Sequence, residues 1–145
     1  MPDIRRILLA EDNANDLELT LSALHSHHVA NEVVVVRDGA EALDYLFRHG
    51  AYAHRDVHDP GLMLLDLKMP KVDGLEVLRR VKADLRLRRL PVVVLTSSRE
   101  ESDLVRSYEL GVNAYVVKPV KFSDFVDAVH TLGAFWAMLN EMPPN

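Results

Sequence analysis

Four short apolar runs in this chain each end in a chemically reactive side chain, and that repetition narrows the folds open to it. Glu11-Asp12 follows Ile7-Leu8-Leu9-Ala10, and Asp66 follows Leu62-Met63-Leu64-Leu65. Thr96 follows Val92-Val93-Val94-Leu95, and Lys118 follows Tyr115-Val116-Val117. Continuous apolar runs of this length suit strands buried on both faces, the habit of parallel sheets. As neighbouring parallel strands they deliver all four groups to one rim of one sheet. Carboxylates, a hydroxyl and an ammonium gathered there cost stability and supply chemistry. They can hold a divalent cation beside a carboxylate that accepts a phosphoryl group.

The intervening segments agree with that arrangement. Asn13 to Asp16 offers helix-start residues before Leu17, Leu19, Leu21 and Leu24. Glu32 to Val36 is another β-branched run, closed by the turn Asp38-Gly39. Ala40, Leu43, Tyr45, Leu46 and Phe47 form the apolar stripe of a second helix. His49 to Pro60 is polar and aperiodic and reads as an exposed loop, followed by a strand over 61–65. Gly74 precedes a third helix carrying Leu75, Val77, Leu78 and Val81. Ser97 to Glu100 resembles a capping box, and Gly111 suits the stop of the helix behind it. A last helix is expected from about Ser123 to Leu139. Five strands alternating with five helices predict a doubly wound α/β fold, with helices on both sides of a parallel sheet. In such sheets ligands bind beyond the carboxyl ends of the strands.

Composition excludes several classes. A length of 145 residues suits one domain, and no linker divides it. The formal net charge of -5 argues against a nucleic-acid surface. No cysteine is present, which removes disulfides, thiolate nucleophiles and cysteine zinc sites. No apolar stretch approaches a membrane span, and the amino terminus is not a secretory signal, so a cytoplasmic protein is expected. P-loop, dinucleotide and nucleophile-elbow motifs are missing. His54 and His58 lie in the expected loop, and His25, His27 and His28 at a helix end, so both groups read as solvated histidines rather than metal ligands.

The rim residues carry the argument. Like charges at Glu11, Asp12 and Asp66 repel, and a hard divalent cation relieves them; magnesium fits a few carboxylates and retained waters. Asp66 can form an acyl phosphate, with Lys118 neutralising incoming charge and Thr96 donating to a phosphoryl oxygen. Taken singly, Lys118 reads as a solvated lysine and Thr96 as a helix cap. Together at matching strand ends they read as one site. Lys118-Pro119 admits a cis peptide that aims the ammonium inward, although trans is the ordinary state.

In order along the chain stand Leu8-Leu9-Ala10-Glu11-Asp12-Asn13, Leu65-Asp66-Leu67-Lys68-Met69-Pro70, Asp73-Gly74, Val94-Leu95-Thr96-Ser97-Ser98, Gly111 to Tyr115 and Val117-Lys118-Pro119. With these the chain resembles the receiver domain of bacterial two-component response regulators, from about Ile7 to Leu139. The resemblance implies a flavodoxin-like receiver fold with strand order 2-1-3-4-5. It implies Asp66 as phosphoacceptor, and Mg2+ held by Asp12, Asp66 and the Lys68 carbonyl, with Glu11 acting through a water. It implies phosphoryl contacts from Thr96 and Lys118. It also implies a Thr96–Tyr115 switch acting on the face of the fourth helix, fifth strand and fifth helix. The protein is then not a metabolic enzyme but a signalling receiver that assists its own phosphorylation and dephosphorylation.

The chain reads as a stand-alone receiver with its core at about 5–139, a short tail at 140–145 and no output domain. Glu11-Asp12-Asn13 with Asn15-Asp16, the long loop after the second helix, and Phe135-Trp136 resemble the regulators paired with bacterial phytochrome histidine kinases. The expected partner is such a kinase. Phe122, Phe125, Val129, Leu132, Trp136 and Leu139 recur near helical spacing, while Phe135, Met138 and Met142 fall off that stripe; a homodimer through the last helix is expected. A phosphate sink and a docking module that no longer uses phosphate are the alternative readings. The intact set of Glu11, Asp12, Asp66, Thr96 and Lys118 argues against the second.

Overall fold

The structure, a computed structural model, describes residues 2–26, 32–96, 106–112, 114–118 and 123. Strand β1 (Pro2–Ala10) leads to helix α1 (Ala14–Ser26), β2 (Glu32–Val36), α2 (Gly39–Phe47), β3 (Asp59–Leu65), α3 (Gly74–Ala83), β4 (Val92–Thr96) and β5 (Ala114–Val117). A 3-10 turn at Gly50–Tyr52 follows α2, and residues 106–109 are helical. The five strands pair in parallel in the order β2-β1-β3-β4-β5. That is the flavodoxin-like arrangement expected above. The expected fifth helix lies outside the described residues.

Side chains alternate across the sheet and feed two cores, as a period of two demands. Leu8, Ala10, Met63, Leu65, Val92 and Val94 pack under α2 and α3 with Ala42, Leu46, Val77, Leu78 and Val81. Ile7, Leu9, Leu62, Leu64, Val93 and Leu95 face the other way with Leu24, against which Leu17 and Leu21 of α1 pack. Every residue of the central strand β3 is buried, which is why its sequence shows no polar alternation.

Helix starts follow local chemistry. The Asn13 side chain accepts from the Asp16 amide at 2.9 Å, Asp38 from Glu41 at 2.7 Å, and Asp73 from Glu76 at 2.9 Å. Each side-chain oxygen satisfies an amide that the first helical turn leaves unpaired. Gly111, at φ +90°, ends the preceding helical residues as expected.

One expectation is corrected. Asp59 and Pro60 do not belong to an exposed loop; they are buried and open β3, pairing with Pro2 and Asp3. A buried aspartate needs compensation. Asp59 receives it from Arg55 at 3.2 Å, from Arg48 at 3.9 Å and from Arg86. Arg55 also lies 4.3 Å over the Tyr45 ring. Those cations come from three separate segments. Residues 49–58 are otherwise the surface loop anticipated, with His54 and His58 exposed.

Candidate functional site

The parallel register assembles the rim. Ala10 pairs with both Val36 and Leu65, Leu65 with Val94, and Thr96 with Val117. The ladder runs one residue further: the Glu11 amide donates to Val36 and the Asp66 amide to Ala10, both at 3.0 Å. Glu11 and Asp66 therefore emerge side by side from locked backbone. On the α3 side, Gly74 lets the helix start against the Asp66-Leu67 backbone. A Cβ at Gly74 would lie 2.6 Å from the Leu67 Cα and overlap the Asp66 carbonyl.

Lys118 is the centre of charge. Its side chain is 7% exposed, and Nζ lies 2.5 Å from Glu11 Oε1, 2.9 Å from Asp16 Oδ2 and 3.2 Å from Asp66 Oδ2. The other oxygens of Glu11 and Asp66 meet backbone amides. Asn13 donates to Glu11 Oε2 at 3.1 Å, and Lys68 donates to Asp66 Oδ1 at 3.2 Å. Burial disfavours the Lys118 charge, but Glu11, Asp16 and Asp66 outweigh it and hold the ammonium above its ordinary pKa. Burial also raises the Glu11 carboxyl to about 7, and neighbouring Asp66 pushes the same way while Lys118 opposes both. Burial, more than the neighbouring carboxylate, accounts for that rise.

Glu11, Asp12 and Asp66 can each direct one oxygen so that all three atoms lie within 4.8 Å of one another. Two of the three residues are buried, and Asp12 is half-buried. This donor set fits a hard divalent cation, which takes carboxylate oxygens and completes its shell with water. Beside Asp12 opens a cavity of about 450 Å³, walled by Lys68, Met69, Pro70 and Asp73 among others. It leaves space for waters and for an approaching substrate next to the carboxylates.

The structure thus brings Glu11, Asp12, Asp66 and Lys118 together. Thr96 ends β4, two residues beyond the Leu65–Val94 pair; its side chain lies outside the described residues. Tyr115 is half-buried on β5, level with Val94, and packs against the core under α2 and α3. Pro119 and the capping segment 97–100 also fall outside the described residues.

Two contributors were not singled out from sequence. Asp16, which reads as an acidic residue in a first helical turn, contacts Lys118. Arg37 donates to the carbonyls of Glu11 and Asp12. Neither carries a local sequence signal distinguishing it from a solvated charge.

Comparison with known proteins places this geometry. The profile of the response regulator receiver domain matches residues 7–130. Response regulator Rcp1 of Synechocystis sp. is 39% identical over 137 residues, which are 94% of this chain and 92% of that protein. The solved bacteriophytochrome response regulator AtBRR is 66% identical at a TM-score of 0.85, over 97% of this chain and 100% of that one. The bacteriophytochrome response regulator RtBRR is 61% identical at 0.86, over 99% and 86%. The Mn2+-bound form of Rcp1 superposes at 0.77 with 38% identity, covering 97% of each chain.

Proposed function

The chain belongs to the response regulator receiver family, homologous to phytochrome-associated regulators, and on that premise we propose that Asp66 accepts a phosphoryl group from a sensor histidine kinase. Family membership makes the role one of signalling rather than of metabolic catalysis. The observation that carries the proposal is the buried Lys118 ammonium set against both Asp66 and Glu11.

In the transfer, an Asp66 oxygen attacks phosphorus, the phosphorus–nitrogen bond of the donor phosphohistidine breaks, and the imidazole leaves with a proton. Phosphoryl transfer asks the protein mainly for positioning and charge neutralisation. The amide of Lys68 holds Oδ1 of Asp66, while Oδ2 faces Lys118. Lys118 can follow the developing charge onto the phosphoryl oxygens. Glu11, Asp12, Asp66 and the Lys68 carbonyl would hold Mg2+, Glu11 through a water. Mg2+ bound there would supply electrostatic stabilisation of the transferring group. Thr96 donates to the phosphoryl group, and Tyr115 follows its movement, so that phosphorylation shifts the population of the face around β5.

We place the donor among bacterial phytochrome kinases, because the 66% and 61% identical relatives are bacteriophytochrome response regulators. Among the described residues no helix is long and apolar enough to cross a membrane; we propose a cytoplasmic location for this chain.

Incubation with acetyl phosphate and Mg2+ should add one phosphoryl mass to the wild type and none to Asp66→Asn. Phosphopeptide mapping should locate it at Asp66. Transfer from an autophosphorylated phytochrome kinase should show the same dependence. Labelling of Asp66→Asn, or an unlabelled wild type, refutes the assignment.

We propose further that two copies pair through the C-terminal region carrying Phe135, Met138 and Met142, which lies outside the described residues. Light scattering should report a dimer at micromolar concentration, reduced towards monomer by Phe135→Asp with Met138→Asp. A monomeric wild type with and without phosphorylation excludes it.

A further inference from the structure

Arg37 stands one residue past β2, and its guanidinium crosses to the end of β1. Nε donates to the Glu11 carbonyl at 3.1 Å, and Nη2 donates to the Asp12 carbonyl at 3.0 Å. The Arg37 backbone is itself held. Its amide donates to Glu41 Oε1 at 2.8 Å, and the other oxygen of Glu41 accepts from the Tyr52 hydroxyl at 2.6 Å. Tyr52 belongs to the 3-10 turn after α2, and its ring meets Tyr45 edge-on at 5.1 Å. A continuous set of contacts therefore runs from that turn, through Glu41 and Arg37, to the peptide units bearing two of the three clustered carboxylates.

We infer that Arg37 is a positioning residue for the cation site, clamping the Glu11-Asp12 backbone so that both carboxylates stay gathered with Asp66. The inference rests on the cation-binding reading of those carboxylates. The ladder from β1 to β2 ends with the Glu11 amide on Val36, so the peptide that follows needs another tether. Without one, mutual repulsion favours conformations in which Asp12 turns away into water. The planar fork of arginine serves two carbonyls at once, which a lysine ammonium cannot do with the same geometry. Partners outside the metal's own ligands commonly control affinity in this manner.

Charge and positioning make opposite predictions, and that separates them. If Arg37 acted only as a nearby positive charge, its removal would tighten cation binding. As a positioning residue, its removal weakens binding. The test titrates Mn2+ into wild type, Arg37→Gln and Arg37→Lys, following free Mn2+ by electron paramagnetic resonance. Thermal unfolding and amide hydrogen exchange at Asp12 and Asn13 are measured on the metal-free proteins. Arg37→Gln is expected to bind roughly tenfold or more weakly, with faster exchange at those two amides and a melting curve close to wild type. Arg37→Lys, which keeps the charge, is expected to fall between. Affinity that is unchanged or tighter in Arg37→Gln overturns the inference, as does unchanged exchange. Failure of the wild type to bind Mn2+ would instead remove the cation reading on which the inference stands.

Discussion

Lys118→Met is expected to lower both the stability of the metal-free protein and its capacity to be phosphorylated. The ammonium faces Glu11, Asp16 and Asp66 within 3.2 Å, and two of those carboxylates are almost fully buried. Removing it leaves them repelling one another without a cation. Breaking a buried pair from one side costs about 3 kcal/mol, and Glu11 limits the damage by taking up a proton, as its raised pKa permits. Glu11, Asp16 and Asp66 hold the folded Lys118 ammonium above its ordinary pKa. Its stabilisation is therefore complete at neutral pH and is lost only as pH climbs through that higher folded value. Urea unfolding at neutral pH should show the loss in full without Mg2+ and a smaller loss with it, since the divalent cation offsets the same repulsion. Phosphorylation by acetyl phosphate should slow by roughly 10²–10³-fold, the usual effect of deleting one donor to developing anionic charge. A variant as stable as wild type, or one labelled at the same rate, shows that the ammonium is a bystander.

The parts of this site that could be read from the chain are those whose signals are local. An apolar run followed by Asp66 or Lys118 declares its own strand and its own end, and a parallel sheet aligns such ends automatically. Asp16 and Arg37 escape that logic because their partners come from distant segments. Lys118 is 102 residues from Asp16, and Arg37 reaches back 25 and 26 residues to its carbonyls. The same non-locality explains Asp59-Pro60. An aspartate and a proline ordinarily mark a loop, and Pro is excluded from most central strands. Here they open a buried strand, because Arg48, Arg55 and Arg86 converge on the carboxylate and a register irregularity in β1 lies alongside. The start of the first helix was legible for the opposite reason: Asn13 bonds within three residues of itself, as do the caps Asp38 and Asp73 that the structure adds.

Gly74→Ala is expected to destabilise the fold by about 3 kcal/mol, the upper part of the range for overpacking, and to weaken the cation site with it. The direction runs against helix propensity, by which alanine normally gains roughly 0.5–1 kcal/mol over glycine. At Gly74 the added methyl meets backbone rather than movable side chain. It overlaps the Asp66 carbonyl and comes within 2.6 Å of the Leu67 Cα, so relief requires α3 or the Asp66-Leu67 segment itself to shift. The Gly74 amide also donates to Leu67 at 2.9 Å, and that bond must lengthen as the two part. Gly39→Ala provides the contrast. Its methyl would overlap the Val72 carbonyl, in the same loop but away from Asp66. Both variants should lose stability in denaturant titrations, whereas Mn2+ affinity should fall further for Gly74→Ala. Equal affinities in the two variants would mean that the close packing at Gly74 serves the fold without setting the position of Asp66.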